Sequence, residues 1–207
     1  MSDVLSPIAG RPRTGMLLYG LAALLALFEI VVLWVALHPQ VDADYRAYFL
    51  DQTITCLPQP VSGAYQLGQA ISFTSENSGP AKTLRVCGWD GPAGDGLHSV
   101  GTRSLLRFAL PDAHGQLRLT LEMAAIAVDG HPQQRVGISV NGIAFADITI
   151  LAGETRTITA LVPPEAYDIN PQQLDVALDL PDAVKMNPID IETRWRAIKL
   201  ISGRLGL

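Results

Sequence analysis

The chain predicts an all-β fold, an antiparallel β-sandwich or jelly roll, preceded by a single N-terminal transmembrane helix. Three observations carry that reading. Residues 15–37 form one apolar run with a single ionisable carboxyl. From Gln69 onward, short runs of alternating apolar and polar residues are separated by clusters of Gly, Pro, Asn and Asp. Outside the first run no long stretch repeats with the helical period. Many short strands punctuated by turn residues are the pattern of a sandwich rather than of a helix-covered sheet.

The apolar run, "GMLLYGLAALLALFEIVVLWVAL", is 23 residues long and as a helix reaches about 34 Å, enough for a hydrocarbon core of about 30 Å. A secretory signal peptide is the competing reading, but its apolar core is usually about 7–15 residues and small residues flank its cut. A cut after Ala36 would leave the bulky Trp34 just before the break, and a cut after Ala43 is the better-placed alternative. The reading adopted is an uncleaved anchor, with Tyr19 and Trp34 near its two ends in the interfacial belts. Arg11 and Arg13 precede the span, while "HPQVDADYR" follows it. The excess of basic residues on the N-terminal side predicts a cytoplasmic tail over residues 1–14 and an exported remainder.

Glu29 lies inside the span. A carboxylate near the centre costs about 2.5–3.5 kcal/mol, against about 6 kcal/mol supplied by the Leu, Ile, Val and Phe residues around it, so the helix inserts regardless. Ala22, Ala26 and Glu29 follow at helical spacing beside Tyr19 and Leu33. Small residues with one polar group on a single face suit packing against another membrane helix. The expected partners are therefore membrane lipids and other membrane-protein subunits. A lone Glu29 facing lipid is the plainer reading.

Residues 38–68 contain two proline interruptions and read as a connecting segment with at most a short helix over residues 45–50. Strands then follow over residues 69–207. "AISFTS" is stopped by "ENSGPAK", "SLLRFAL" by "PDAHG", and "LRLTLEM" and "AIAV" by "DGHPQQ". "RVGISV" and "IAFADITI" flank Asn141-Gly142, a strong hairpin signal because a type I′ turn needs positive φ twice. "TRTITALV" ends at Pro163-Pro164, "QLDVALDL" at "PDAVKMNP", and "RWRAIKLIS" closes the set, for about nine strands in all.

Cys56 and Cys87 both fall in the exported part, where an oxidising compartment would pair them. Such a bridge is worth about 2–4 kcal/mol. Two cysteines and four histidines offer neither C-x-x-C nor H-x-x-x-H spacing, and no metal site or cofactor is expected. The net charge of −5 lacks the clustered Lys and Arg that nucleic acid requires.

The stretch "CGWDGPAGDGLHSVG", residues 87–101, reads as a long loop, where function tends to sit. Asp90 and Asp95 are candidate paired carboxylates, and His98 with Ser99 a candidate base and nucleophile. Adjacent residues on a strand, however, point to opposite faces, and Asp beside Gly is ordinary turn chemistry. "DGPAGDG" offers oxygen ligands to a hard cation but lacks the spacing of a known calcium loop. Trp89, with Asp90, Asp95 and His98 around it, is the candidate glycan or ion site. The reading preferred for Trp89 is a core residue packed on a Cys56–Cys87 bridge, which makes the stretch a structural corner and the binding rim the alternative. Arg194, Arg196, Lys199 and Arg204 form a mild basic cluster, expected to be a solvated face.

"YQLGQAISFTSENSG", "GWDGPAGDGLHSVGTRSLLRFALP", "RVGISVNG", "LDLPDAVKMNP" and "TRWRAIKLIS" follow in the order of a β-sandwich module. Together they span most of residues 65–202. That module resembles domains appended to bacterial membrane glycosyltransferases and other envelope-polysaccharide proteins. In those domains a stretch of the type G-W-x-x-P-E-x-x-G-x-W-S-x-G occurs. Gly88, Trp89, Pro92, Gly96, Ser99 and Gly101 match it, whereas Ala93 replaces the acidic residue and His98 the second tryptophan. The resemblance implies a non-catalytic accessory subunit of the bacterial inner membrane, its sandwich periplasmic, binding glycan or bracing a synthase. A structural subunit of a multi-subunit membrane complex, for example an energy-transducing one, and an enzyme acting on envelope glycans through Asp90, Asp95 and His98 are the alternatives.

Overall fold

The computed structural model describes residues 12–74, 78–110, 115–186 and 195–207. Arg11, the turn residues 111–114 and Arg194 lie outside them. The chain divides into two units, Met1–Asp42 and Ala43–Leu207.

Among the described residues, the first unit holds one helix, α1 (Pro12–Leu37). Pro12 occupies its first position, where a missing N–H costs nothing. At the other end the His38 N–H donates to Trp34 O at 3.1 Å, and Pro39 prevents continuation. The stretch Gly15–Leu37 is long and apolar enough to cross a membrane, and none of it is buried within the protein.

The second unit is an antiparallel β-sandwich. It opens with a short helix, α2 (Ala43–Tyr45), continued as a π turn (Arg46–Leu50). The strands are β1 (Ala70–Ser72), β2 (Arg85–Cys87), β3 (Trp89–Ala93), β4 (Gly96–Ser99), β5 (Arg103–Ala109), β6 (Arg118–Ala125) and β7 (Gln133–Val140). They continue with β8 (Ile143–Leu151), β9 (Thr155–Leu161), β10 (Gln173–Asp179), β11 (Val184–Lys185), β12 (Trp195–Arg196) and β13 (Ile198–Gly206). One sheet has the order β3-β4-β13-β6-β9 with β1 also on β13; the facing sheet has the order β2-β5-β10-β7-β8; β11 and β12 form a small separate pair.

Alternation explains the core. Leu119, Leu121 and Met123 of β6 face Val136, Ile138 and Val140 of β7 and Leu174, Val176 and Leu178 of β10, all buried. Each such side chain contributes about 1.5–3 kcal/mol by leaving water. Asn141 (φ 47°) and Gly142 (φ 83°) form the turn between β7 and β8, the conformation that the Asn-Gly pair predicts.

Four expectations need correction. The stretch 87–101 is not a long loop: most of it is the hairpin β3–β4 on the edge of the larger sheet. "AIAV" is no separate strand, since Ala125 ends β6 and Val128 only bridges His131. Part of "ENSGPAK" belongs to helix α3 (Ser78–Leu84). Pro163-Pro164 both ends a strand and starts helix α4 (Pro164–Ile169), because proline suits the first helical turn.

Candidate functional site

The disulfide Cys56–Cys87, with Cα atoms 5.1 Å apart, ties the segment after the π turn to β2. Around it the Gln59 N–H donates to Val86 O at 3.1 Å, and the Thr102 N–H donates to Thr55 Oγ1 at 3.0 Å. Gly88 turns the chain from β2 into β3 at φ 76°. A side chain there would collide with the Arg103 carbonyl, so this close crossing requires glycine. The Ser104 hydroxyl donates to Gly88 O at 2.6 Å and closes the corner.

Trp89 follows. Its indole Nε1–H donates to Leu105 O at 3.0 Å, and the ring packs partly on the core. The rest of the ring borders a crevice of about 420 Å³ whose other walls include Tyr48, Phe49, Thr55, Leu57 and Gln59. Tyr48 and Phe49 meet edge to face at 4.8 Å. Trp89 is thus anchored in the corner beside the bridge and also lines the crevice.

The charged residues of the hairpin do not join it there. Asp90 pairs with the Arg196 guanidinium, whose other nitrogen donates to Ser99 O at 3.2 Å. Asp95 lies 3.1 Å from His98 Nε2 and 3.0 Å from Lys199 Nζ. Hydrogen bonds from His98 and then Lys199 hold the Asp95 carboxyl at about 2. A carboxylate so stabilised is a poor proton donor at neutral pH. Ser99 is fully buried, and its hydroxyl oxygen accepts from the Ala197 and Ile198 N–H groups, both at 3.1 Å. His98 and Ser99 thus face opposite ways and form no base–nucleophile pair. Among the described residues no group of three His, Cys, Asp or Glu side chains converges as a metal site would require. Trp195 is exposed, with Lys185 Nζ 5.9 Å from its ring centre.

Sequence reasoning missed Tyr48, Phe49, Thr55 and Gln59. The signal was the aromatic run "YRAYF" lying close before Cys56, which the bridge folds back onto Trp89. It also missed an open groove of about 650 Å³ on the outer face of the smaller sheet, lined by Ser139, Asp147, Thr149 and Asp179 among others. That groove has no aromatic wall. Its Arg135 is held by Asp182 (2.6 Å), and Arg135 in turn keeps the Asp182 carboxyl below its ordinary range.

The chain matches no family model and no curated protein sequence. Among solved structures it is similar to the CBM36-1 domain of a multidomain xylanase from the hindgut metagenome of Trinervitermes trinervoides (12% identity, TM-score 0.39, 67% of this chain and 96% of that one). It is similar to the CBM22-1 xylan-binding domain of Paenibacillus barcinonensis Xyn10C (12% identity, TM-score 0.38, 69% and 97%). It is also similar to 13% of the dimeric latent PorU of Porphyromonas gingivalis (13% identity, TM-score 0.42, 72% of this chain). Overlaps at this level carry nothing about ligand; the fold assignment rests on the sheet order and register above.

Proposed function

We propose that the protein is a non-catalytic, membrane-anchored binding module that holds a carbohydrate in the Trp89 crevice, as an accessory subunit of envelope-polysaccharide assembly at the bacterial inner membrane. One observation carries the reading: Trp89, Tyr48 and Phe49 surround a cavity of about 420 Å³ with Thr55 and Gln59 beside them. A sugar presents an apolar C–H face and a rim of hydroxyls, which suits aromatic walls with a few polar groups. The ties of Asp90 to Arg196 and of Asp95 to Lys199 favour structural over catalytic roles for these carboxylates. The Cys56–Cys87 bridge fits an oxidising, periplasmic location, and Arg11 and Arg13 before the span fit a cytoplasmic N-terminus.

The test is a glycan-panel screen of the full-length protein in nanodiscs. A bound glycan should lose up to about tenfold in affinity in a Tyr48→Ala variant, the loss of one good aromatic contact, and less in Trp89→Phe, which keeps an aromatic face, with the disulfide and circular dichroism unchanged. Absence of binding across the panel, together with unaltered surface polysaccharide in a deletion strain, would overturn the proposal.

Glu29, an ionisable residue inside the apolar stretch, favours a second reading. Here the face formed by Tyr19, Ala22, Ala26, Glu29 and Leu33 packs on a helix of a larger membrane complex, with Glu29 hydrogen-bonding across the contact. Mild detergent extraction of wild type and Glu29→Leu tests it: the same co-purifying chains in both would remove Glu29 from the contact.

A further inference from the structure

Among the described residues of the folded unit the exposed large apolar side chains are mostly scattered, at Leu151, Leu161, Ile169, Met186, Trp195 and Leu207. Three others crowd into six positions: Tyr45, Phe49 and Leu50, which are 45%, 50% and 49% exposed. They are organised. The Tyr45 and Phe49 rings are 4.6 Å apart, and the π turn closes with the Asp51 N–H donating to Arg46 O at 2.9 Å. With hydrogen bonds reaching back five residues, positions four and five apart return to the same side of the turn. A preformed aromatic and aliphatic patch has thus been left in water.

The covalent chain indicates what covers it. Only residues 38–42 separate the end of α1 at Leu37 from Ala43. Six peptide steps span at most about 21 Å, and the short helix adds about 9 Å to Phe49. If Gly15–Leu37 crosses the bilayer, the patch stays within about 30 Å of the end of the span, and so short a tether holds it beside the headgroup layer at an effective concentration in the millimolar range. Aromatic side chains with a polar tip and an apolar body favour that layer.

We infer that residues 43–50 form an interfacial foot, with Tyr45, Phe49 and Leu50 resting in the lipid headgroup region. The inference rests on the membrane-spanning reading of α1, not on glycan binding. It adds one consequence to the proposed function: Tyr48 and Phe49 also wall the crevice, so a sugar held there lies at the membrane surface.

The experiment uses the full chain in phosphatidylcholine–phosphatidylethanolamine vesicles containing phospholipids brominated at shallow or deep acyl positions. Phe49→Trp adds a reporter to the native Trp34, Trp89 and Trp195, and Ile169→Trp places a control on an exposed site of α4. The emission added at position 49 should be quenched by shallow bromolipid at least about twofold more than that added at 169, as expected for an interfacial ring. Adding Tyr45→Ser and Leu50→Ser should reverse the difference. Equal responses at 49 and 169 overturn the foot, as does blue-shifted emission at 49 that no bromolipid quenches, which marks a protein partner instead. Native Trp34 separates the premises: if it too escapes bromolipid quenching, the span itself is refuted.

Discussion

Two hairpins in the same sandwich are built by opposite means. β7–β8 is specified locally: Val136, Ile138 and Val140 alternate inward, and Asn141-Gly142 supplies two positive φ angles. β3–β4 has almost none of this. It carries Pro92, tolerable because β3 is an edge strand, and its register shifts between Trp89 and Pro92. What holds it is tertiary: the Cys56–Cys87 bridge next to it, Arg196 on Asp90, Ser99 on the backbone of β13, and the Trp89 indole on Leu105 O. The hairpin that borders the crevice depends on the rest of the fold; its counterpart largely specifies itself.

Removing the bridge is the harshest way to break this contrast. Cys56→Ser with Cys87→Ser reopens a loop of 31 residues and should cost about 3–4 kcal/mol in urea denaturation. In native-state hydrogen exchange, the Val100 N–H, bonded to Gly88 O at 2.7 Å, should lose protection well before the β7–β8 ladder. Uniform loss across both hairpins would show that the two stand or fall together.

Single hydrogen-bonding side chains sharpen the comparison. Ser99→Ala strands two buried N–H donors and should cost about 2 kcal/mol. Asn141→Gly keeps the positive φ but removes the side-chain bonds to Ala166 O (2.8 Å), Gln173 O (3.0 Å) and the Asp175 N–H (2.8 Å). It should cost about 1 kcal/mol, because those groups lie nearer to water and glycine is at ease in the turn. Equal or reversed losses by thermal denaturation would contradict the ranking.

The smallest effect is expected at Asp95. Its side chain is 52% exposed, so Asp95→Asn should cost under about 1 kcal/mol. The sign with pH is definite. Its folded value lies at about 2, below the ordinary 3.8, so its contribution is present above the ordinary value and is lost as pH falls toward the lower one. The stability difference between wild type and variant should shrink across that window; a difference that grows with acid would be the wrong sign.

The same division governs what was legible in the sequence. The apolar span, the strands β5 to β10 and the Asn141 turn all announce themselves through local pattern, whereas the cysteine pair is read from the expected compartment. β3 and β4 did not, because they lack a run of alternating apolar residues and their reason for being strands lies in the pairing of β4 with β13. The crevice was half legible. Trp89 stood out as a tryptophan among glycines, whereas Tyr48 and Phe49 became its neighbours only through a bridge that closes over distance. Asp90, Asp95 and His98 drew attention as chemistry-bearing types, but their partners Arg196 and Lys199 sit a hundred positions away, where no spacing rule reaches.

The position of the sulfur bridge also decides how the domain is gripped. Any pull along α1 reaches Cys56 and crosses through the bridge into β2, the outermost strand of its sheet. Residues 57–69 follow the bridge and make their own hydrogen bonds to the domain, among them the Gln59 N–H to Val86 O and the Ala109 N–H to Gly63 O. Reduction would leave those hydrogen bonds, Gln59 on Val86 of β2 first, to meet the pull, so the oxidation state selects whether a covalent link or hydrogen bonds take the force at that edge.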